Sequence, residues 1–259
     1  MNITGQTQIF PIVGHPVNKV FSPTAFNLWF KENDVNCCMV ALDIPADGLS
    51  GFLSLLRGSP SFLGCSITYP HKQAALQYVD ALTPQAERLG ALNTIRREPD
   101  GRLVGDATDG RALVAAVRAG GGSIIGQTAM ILGAGGGAGM AIADAFCAAG
   151  VVRLILADTD IERKKQAHQM VSTYWPEVEI LDEARNIQVL VNATALGSKP
   201  SDPCPFNTQL IANADFVCDV ISGQKLVEAA SAFGTRLING LEMGQAQVHP
   251  QLSFLGLTQ

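Results

Sequence analysis

The sequence is poor in the features that mark membrane, metal-binding and nucleic-acid-binding proteins. No apolar run reaches the roughly 18 residues that a membrane-spanning helix needs, and the first ten residues, MNITGQTQIF, do not resemble a secretory signal. The six cysteines are scattered without a CxxC pair, which argues against a disulfide framework and a zinc site. A net charge of −5 and the lack of a basic cluster argue against nucleic acid as a partner. We therefore expect a cytoplasmic protein with reduced cysteines, no membrane contact and no metal.

The composition is that of a folded protein. Of the 259 residues, 47% are hydrophobic and only 16% are charged, so the chain does not belong to the disordered class. The length fits one large domain or two small ones, with a sizeable core in either case.

Strand-like and helix-like segments alternate along the whole chain, which is typical of an α/β protein with a parallel sheet and crossover helices. We predict two α/β domains: one over 1–109 with a mainly parallel sheet, and one over 110–239 of the Rossmann type. The last helix, within 240–259, is expected to pack back on the first domain. In that domain Ser22 is a candidate N-cap, and the segment 71–82 has the apolar spacing of a helix.

The segment MILGAGGGAGMA has the spacing of a dinucleotide-binding turn. Gly133 would make the tight turn, Gly135 would let backbone N–H groups approach a pyrophosphate, and Ala138 would let helix and strand pack closely. The turn follows a predicted strand and opens a predicted helix, which favours cofactor binding over a purely structural turn. The predicted cofactor-binding residues of this turn are Gly133, Ala134, Gly135, Gly136, Gly137 and Ala138.

Asp158 ends the next predicted strand. A carboxylate at this position can accept hydrogen bonds from the ribose hydroxyls of NAD and would repel the 2′-phosphate of NADP. Arg163 is the nearest following arginine and lies a helical turn or more further along the chain. The sequence therefore predicts NAD in preference to NADP. The alternative is that Asp158 or Asp160 only caps the following helix.

Three polar segments stand out in the first half of the chain: SITYPHK, GALNTI and GDATDG. The first places Lys72 just past the end of a predicted buried strand, the second contains Asn93, and the third closes the first domain with Asp109. A solvated loop lysine is the ordinary explanation of Lys72 taken alone. Together, the three segments are expected to face one cleft, where a hydride acceptor and its substrate would meet.

These segments resemble the pattern of the shikimate dehydrogenase family. The family motifs N-V-T-x-P-x-K, G-A-x-N-T, G-x-N-T-D-G, G-A-G-G-A, N-A-T-x-x-G and G-L-x-M-x-x-x-Q correspond, in that order, to SITYPHK, GALNT, GDATDG, GAGGG, NATALG and GLEMGQAQ. The resemblance covers nearly the whole chain. It implies an N-terminal substrate-binding domain and a C-terminal Rossmann domain. It also implies reversible, NAD-dependent oxidation of a ring hydroxyl of shikimate or a related cyclic polyhydroxy acid, in aromatic amino acid biosynthesis or quinate and shikimate metabolism.

The resemblance also implies a role for each matching residue. Lys72 and Asp109 would form the catalytic pair at the reacting hydroxyl, where an ammonium group also stabilises developing alkoxide charge. Tyr69 and His71 lie at variable positions of the motif and are assigned no role. The substrate would be held by Ser22, Thr68, Asn93 and Gln247, for which turn or cap roles are the alternative. The nicotinamide end of the cofactor would be held by Asn192, Thr194, Gly240 and Met243.

Two departures from the family pattern concern the substrate. The family segment H-S-x-S-P carries two serines that bind the substrate carboxylate, whereas this chain has Val20 at the first serine and only Ser22 at the second. The family also has a tyrosine in a longer loop after Asp219, where this chain has Ser222 in a shortened loop. Because a lost partner at a buried polar group costs about 1–3 kcal/mol, we expect shikimate to be a poor substrate. Lys19 could supply a replacement charge.

Several interpretations stay open on the sequence alone. Quinate, or an amino- or otherwise altered analogue of shikimate, could be the substrate. A non-catalytic NAD-binding regulator with the same fold is the interpretation from another class. A small-molecule substrate is the indicated partner, and the sequence leaves a homodimer open.

Overall fold

The computed structural model describes residues 2–183, 186–221 and 223–258. The chain divides into two units, each with its own core. The first unit consists of Met1–Thr108 together with Gln247–Gln259, and the second consists of Asp109–Ala246. The segment 240–259 is therefore divided, and only its part from Gln247 onward joins the first unit.

A six-stranded mixed sheet forms the centre of the first unit. In spatial order its strands are β4 (Ala41–Asp43), β2 (Ile12–Gly14), β5 (Gly64–Ile67), β7 (Thr94–Arg97), β8 (Leu103–Asp106) and β6 (Ala81–Leu82). Strand β2 runs parallel to β4 and β5, whereas β7 is antiparallel to β5 and β8. A separate parallel pair is formed by β1 (Gln8–Ile9) and β3 (Cys37–Cys38). Strands β2, β4 and β5 consequently end at the same edge of the sheet.

Helices cover this sheet through their apolar faces. The α-helices of the first unit are α1 (Ser22–Glu32), α2 (Leu49–Gly58), α3 (Pro84–Leu89) and α10 (Val248–Phe254), with 3₁₀ turns at Ala46–Gly48 and Ala74–Tyr78. Helix α10 contributes Val248 and Leu252 to a buried cluster that contains Phe26 and Phe30 of α1. The C-terminal segment is thus part of the core of the first unit.

The second unit is built on a six-stranded, fully parallel sheet. In spatial order the strands are β11 (Glu179–Ile180), β10 (Arg153–Ala157), β9 (Thr128–Leu132), β12 (Val189–Asn192), β13 (Phe216–Asp219) and β14 (Arg236–Asn239). Counted from β9, this is the 3-2-1-4-5-6 order of the Rossmann fold. Its helices are α4 (Asp109–Ala119), α5 (Gly137–Ala148), α6 (Ile161–Tyr174), α7 (Thr208–Asn213), α8 (Gln224–Phe233) and α9 (Gly240–Ala246). The predicted fold class, two α/β domains with a C-terminal Rossmann domain, is confirmed.

One local prediction in the first unit is wrong, and one feature of this unit was not predicted. The segment 71–82 is not one helix: a turn leads into the 3₁₀ turn at Ala74–Tyr78, and the chain then forms the edge strand β6. The feature that was not predicted is the hairpin of β7 and β8. Its turn reads EPDGR, and a proline followed by Asp-Gly is a recognised turn signal that could have revealed it.

Ser22 does not cap α1. The helix begins at Ser22 itself, Phe21 occupies the N-cap position in a helical conformation, and no side chain caps this end. Pro23 fits the second helical position because its missing N–H would have no partner there. The Ser22 hydroxyl is thus not used by the helix end.

Among the described residues, no helix is both long and apolar enough to cross a membrane. The same part of the chain contains no group of three or more His, Cys, Asp or Glu side chains that could hold a metal ion. All six cysteines are free thiols. Burial raises the pKa of Cys37 and of Cys218 to about 12, so these thiols remain protonated core residues.

Candidate functional site

Lys72 lies in the turn that follows β5, at the edge where the parallel strands of the first unit end. Its side chain is half-buried, and its backbone carbonyl accepts a hydrogen bond from Leu92 N at 2.9 Å. The neighbouring His71 is 1% exposed, and its Nε2 lies 2.7 Å from the carbonyl oxygen of Ile44. Because a carbonyl oxygen only accepts, Nε2 of His71 is the donor. His71, at a variable motif position, therefore anchors the turn that carries Lys72.

Asn93 is at the centre of a buried hydrogen-bond cluster at the same edge. Its Oδ1 accepts from Thr108 N at 2.6 Å and from Thr108 Oγ1 at 3.1 Å, and its Nδ2 donates to Thr108 Oγ1 at 2.9 Å. Gln247 Oε1 accepts from Thr108 Oγ1 at 3.2 Å and from Asn93 Nδ2 at 3.5 Å. The structure thus brings together Asn93 and Gln247, two of the predicted substrate residues. Thr108, which was not among the predicted site residues, joins them.

Thr68 directly follows β5 and is partly exposed. Its backbone N–H donates to Val13 O at 2.8 Å, and its carbonyl accepts from His71 N at 3.0 Å. The bonds fix the Thr68 backbone between the end of β2 and the turn that carries Lys72. Thr68 thus lies at the strand-end edge of the sheet.

The two departures from the family pattern have different structural outcomes. Val20 packs against the apolar cluster of α1 and α10, so it contributes to the core and offers no hydrogen-bond donor. Lys19 is exposed. Ser222 lies outside the described residues. Position 20 therefore offers no side-chain hydroxyl.

Asp109 is the first residue of α4 and the first residue of the second unit. It follows directly on Thr108, whose backbone and hydroxyl are both bonded to Asn93. Asp109 itself is half-buried.

The glycine-rich turn of the second unit joins β9 to α5. Gly133 has φ 75°, and the N–H groups of Gly133 and Ala134 donate to the carbonyl of Ala157 at 2.8 and 3.0 Å. A Cβ atom on Gly139 would overlap the carbonyl oxygen of Gly133. Close packing of helix and strand was predicted at Ala138. The position that has no room for a side chain is the next residue, Gly139.

The start of α5 is suited to a phosphate group. Gly136 is the N-cap in an extended conformation, and no side chain caps this helix. The first N–H groups of a helix lack partners within the helix and carry a positive partial charge, so they bind anions. The turn formed by Gly136 and Gly137 therefore has the chemistry that a pyrophosphate requires.

Asp158 is engaged by the backbone of the same turn. Its Oδ2 accepts from Gly135 N and its Oδ1 accepts from Asp160 N, both at 3.0 Å. Asp160 is the N-cap of α6, and its Oδ1 accepts from Glu162 N and Arg163 N at 3.0 and 3.1 Å. Asp158 consequently has a structural function, because it joins the glycine-rich turn to the segment that starts α6.

We expect Asp158→Ala to lower the free energy of unfolding by about 1–3 kcal/mol, since two backbone N–H groups lose a charged acceptor. Urea unfolding followed by circular dichroism measures this change. The control is Asp182→Ala, because the Asp182 side chain is 92% exposed and at the limit of ion-pair distance from Lys164. Equal stability of Asp158→Ala and wild type would contradict the structural function of Asp158.

Asn192 and Asp219 link the loops that follow the neighbouring strands β12 and β13. Asn192 Nδ2 donates to Asp219 Oδ1 at 3.0 Å, and Asn192 Oδ1 accepts from Thr194 Oγ1 at 2.7 Å. Asp219 Oδ2 accepts from Gly223 N at 2.6 Å. Burial raises the pKa of the Asp219 carboxyl, against hydrogen bonds from Gly223, Ile221 and Asn192 that lower it. The structure thus brings together Asn192 and Thr194 and adds Asp219, which was not among the predicted site residues.

Gly240 and Met243 lie in α9, which begins directly after β14. Met243 packs against the central apolar cluster of the second unit. Asn239 Oδ1 accepts from Leu241 N at 2.9 Å and from Glu242 N at 3.0 Å, and so caps the helix. Gly240 is therefore held at the end of β14, near the carboxyl edge of the parallel sheet.

Comparison with known proteins gives consistent results. Residues 12–95 match the family model described as the shikimate dehydrogenase substrate binding domain. A shikimate dehydrogenase (NADP(+)) of Rubrobacter xylanophilus is 34% identical over 248 residues, which is 92% of this chain and 87% of that protein. Shikimate 5-dehydrogenase from Thermus thermophilus, solved with NADP(H) and shikimate, has a TM-score of 0.81 at 28% identity, over 96% of this chain and 94% of that one.

A further solved structure, at lower sequence identity, is similar to this chain in its fold. Shikimate 5-dehydrogenase from Listeria monocytogenes, in complex with shikimate and NAD, has a TM-score of 0.89 at 24% identity. The match covers 100% of this chain and 95% of that chain.

The predicted preference for NAD over NADP is wrong, because the curated relatives are named shikimate dehydrogenase (NADP(+)). Two contacts give the physical reason. The Asp158 carboxylate is bonded within the turn, by Gly135 N and Asp160 N, so its presence at the strand end does not by itself select a ribose hydroxyl. Arg163, which seemed distant along the sequence, has its backbone against Gly135, where a Cβ atom would overlap it.

The relationship rests on identity over nearly the full length of this chain and on a matching family model for its first unit. The chain therefore belongs to the shikimate dehydrogenase family, whose members are oxidoreductases that act on a CH–OH group.

Proposed function

We propose that this chain oxidises, reversibly, a ring hydroxyl of shikimate or of a closely related cyclic polyhydroxy acid, with NADP as the hydride acceptor. The first unit binds the substrate and the second binds the cofactor. The observation that carries the proposal is the buried cluster of Asn93, Thr108 and Gln247 at the strand-end edge of the first unit. Such a set of amide and hydroxyl groups is suited to ring hydroxyls, which both donate and accept hydrogen bonds.

In this proposal Lys72 and Asp109 handle the proton of the reacting hydroxyl. When bound, NADP would accept the hydride from the carbinol carbon, so the products would be the ketone, NADPH and one proton. Lys72 accepts the hydroxyl proton and its charge stabilises the developing alkoxide. Asp109 holds the lysine amine in place and orients it.

The cofactor is held by residues of the second unit. Backbone N–H groups at the start of α5, from Gly137 onward, take the pyrophosphate, whereas the N–H of Gly136 already donates to the carbonyl of Gly133. Arg163, whose side chain is 62% exposed and whose backbone packs on Gly135, supplies the positive charge for the 2′-phosphate. The loop that carries Asn192 and Thr194 borders the nicotinamide ribose, and Asn192 holds the Thr194 hydroxyl.

The substrate carboxylate is the weak point of recognition in this chain. The Val20 side chain packs against the core cluster and has no hydrogen-bond donor, so Ser22 is the remaining hydroxyl of the family's serine pair. We therefore expect a KM for shikimate above about 1 mM, the upper end of the usual span. Steady-state kinetics with shikimate, quinate and an amino analogue, each with NADP and with NAD, test the proposal. The proposal would be contradicted if none of the compounds in this panel were oxidised.

A matched pair of variants tests the carboxylate argument. Val20→Ser should raise kcat/KM for shikimate roughly 10-fold or more relative to Val20→Ala, because a hydrogen bond to a charged group is worth about 1.5–3 kcal/mol. The two variants lose nearly the same packing against the α1 and α10 cluster and differ by one hydroxyl oxygen. Equal kcat/KM in the two variants would mean that position 20 does not face the carboxylate.

A further inference from the structure

Arg96 is a half-buried charged residue to which neither the family pattern nor the proposed function assigns a role. It lies in β7, three positions after Asn93. Its Nη1 donates to the carbonyl oxygen of Phe254, the last residue of α10, at 2.7 Å. Its guanidinium carbon lies 4.9 Å from the centre of the Phe254 ring. One side chain of the sheet thus contacts both the backbone and the side chain at the end of this helix.

The orientation of the Arg96 guanidinium is fixed by a second contact. Glu98 Oε1 accepts from Arg96 Nε at 3.0 Å and from Arg96 Nη2 at 2.7 Å. The last carbonyl groups of a helix lack partners within the helix and carry a negative partial charge, so they favour a cationic donor. The hydrogen bond to α10 is directional, whereas the apolar contacts of Val248 and Leu252 on the same helix are not.

The other end of α10 is also attached to the sheet. Gln247 is the N-cap residue of this helix, and its Oε1 accepts from Thr108 Oγ1 and Asn93 Nδ2. From Gln247 to Phe254 the helix rises about 10 Å. From Asn93 to Arg96 the extended chain also advances about 10 Å. The two points of attachment therefore have the same spacing on the helix and on the strand.

We propose that Arg96 is a positioning residue for substrate binding. By holding Phe254, it fixes the position of α10 along β7 and so the position of the Gln247 amide at the other end of the helix. This inference rests on the proposed function, because it takes Gln247 to be a substrate ligand. Without the Arg96 contact, α10 keeps its apolar packing but can shift along the strand, and the Gln247 amide then bonds a ring hydroxyl less well.

Arg96→Met tests the proposal, since methionine keeps an unbranched apolar chain against Phe254 but has neither the charge nor the donors. We expect the KM for the substrate to rise roughly 3- to 10-fold, with kcat nearly unchanged. Arg96→Lys keeps the charge and a donor, so it should recover part of this loss. The kinetics use NADP and whichever of shikimate and quinate wild type oxidises with the higher kcat/KM.

The neighbouring residue provides a matched control. Arg97 lies on the opposite face of β7, and its Nε donates to the carbonyl oxygen of Arg57, in the last turn of α2, at 3.1 Å. Arg97→Met therefore also removes a bond from a guanidinium to a helix-end carbonyl, but at a helix that carries no proposed substrate ligand. We expect its KM to equal that of wild type. Equal rises in KM for Arg96→Met and Arg97→Met would show general loosening of the unit and would overturn the inference.

A double variant separates positioning from an independent effect. If Arg96 acts through Gln247, Arg96→Met should add little to the rise in KM that Gln247→Met causes alone. Multiplicative rises in KM would mean that the two residues act independently, and the inference would fail. An active wild type with an unaltered KM in Arg96→Met removes this inference alone. Wild type that oxidises neither shikimate nor quinate removes the proposed function and this inference together.

Discussion

Replacing Lys72 with alanine is expected to slow turnover by about 10²–10⁴-fold and to leave the affinity for NADP nearly unchanged. The loss follows from the proposed role of Lys72, because the hydride cannot leave the carbinol carbon until a nearby group takes the hydroxyl proton. The cofactor should still bind, since the glycine-rich turn and the start of α5 belong to the second unit, whereas Lys72 belongs to the first.

Two measurements separate these effects. Turnover is measured at saturating substrate and NADP, and NADP affinity is measured by calorimetry without substrate. Lys31→Ala is a suitable control, since Lys31 is an exposed lysine in the last turn of α1. Near-normal turnover of Lys72→Ala, with the fold intact, would remove Lys72 from the mechanism.

Asp109→Asn is expected to be slowed by a similar factor, about 10²–10⁴-fold, although the side chain keeps its shape. Asparagine carries no negative charge, so it would not hold the lysine amine as a carboxylate does. Asp109 lies in the first turn of α4, where a carboxylate is favoured by the helix dipole. The substitution should therefore cost at most about 1 kcal/mol of stability.

The double variant is the sharper test of the pair. If Lys72 and Asp109 act on the same proton, the second substitution should add little, and the combined loss should be much smaller than the product of the two single losses. Stability is followed by thermal denaturation, with Asp34→Asn, at an exposed position, as the control. Multiplicative losses in kcat would show that the two residues act independently.

The architecture of the second unit was predictable because its signals are local. The glycine-rich turn follows β9 directly, and the alternation of apolar strands with amphipathic helices leaves few topologies for a parallel sheet. The first unit was less predictable. The segment after Lys72 has helical apolar spacing, but β6 pairs with β8, and spacing along the chain carries no information about such a distant partner.

The positions of the motif residues along the chain could be predicted from the sequence, whereas their hydrogen-bond partners could not. Thr108 is bonded to Asn93, which lies 15 positions earlier, and His71 is bonded to the carbonyl of Ile44, 27 positions earlier. Contacts between segments so far apart form only in the folded sheet. A polar residue in a motif can thus be located from sequence, but its hydrogen-bonding role requires the tertiary structure.

The cofactor preference failed for a related reason. The sequence rule treats the acidic residue at the end of the second Rossmann strand as free to meet a ribose. In the folded chain the Asp158 carboxylate is bonded to Gly135 N, and the backbone of Arg163 is packed on that same glycine. The rule therefore identified the acidic residue correctly, but it could not reveal the contacts that determine whether this carboxylate binds a ribose.

The discontinuity of the first unit has a consequence for the order of folding during synthesis. The unit takes residues from Met1–Thr108 and from Gln247–Gln259, while the whole second unit lies between them. Its cluster around Phe26 and Phe30 needs Val248 and Leu252 from α10. The second unit can thus complete its core while the chain is still growing, whereas the first must keep an apolar surface open until the residues of α10 have left the ribosome.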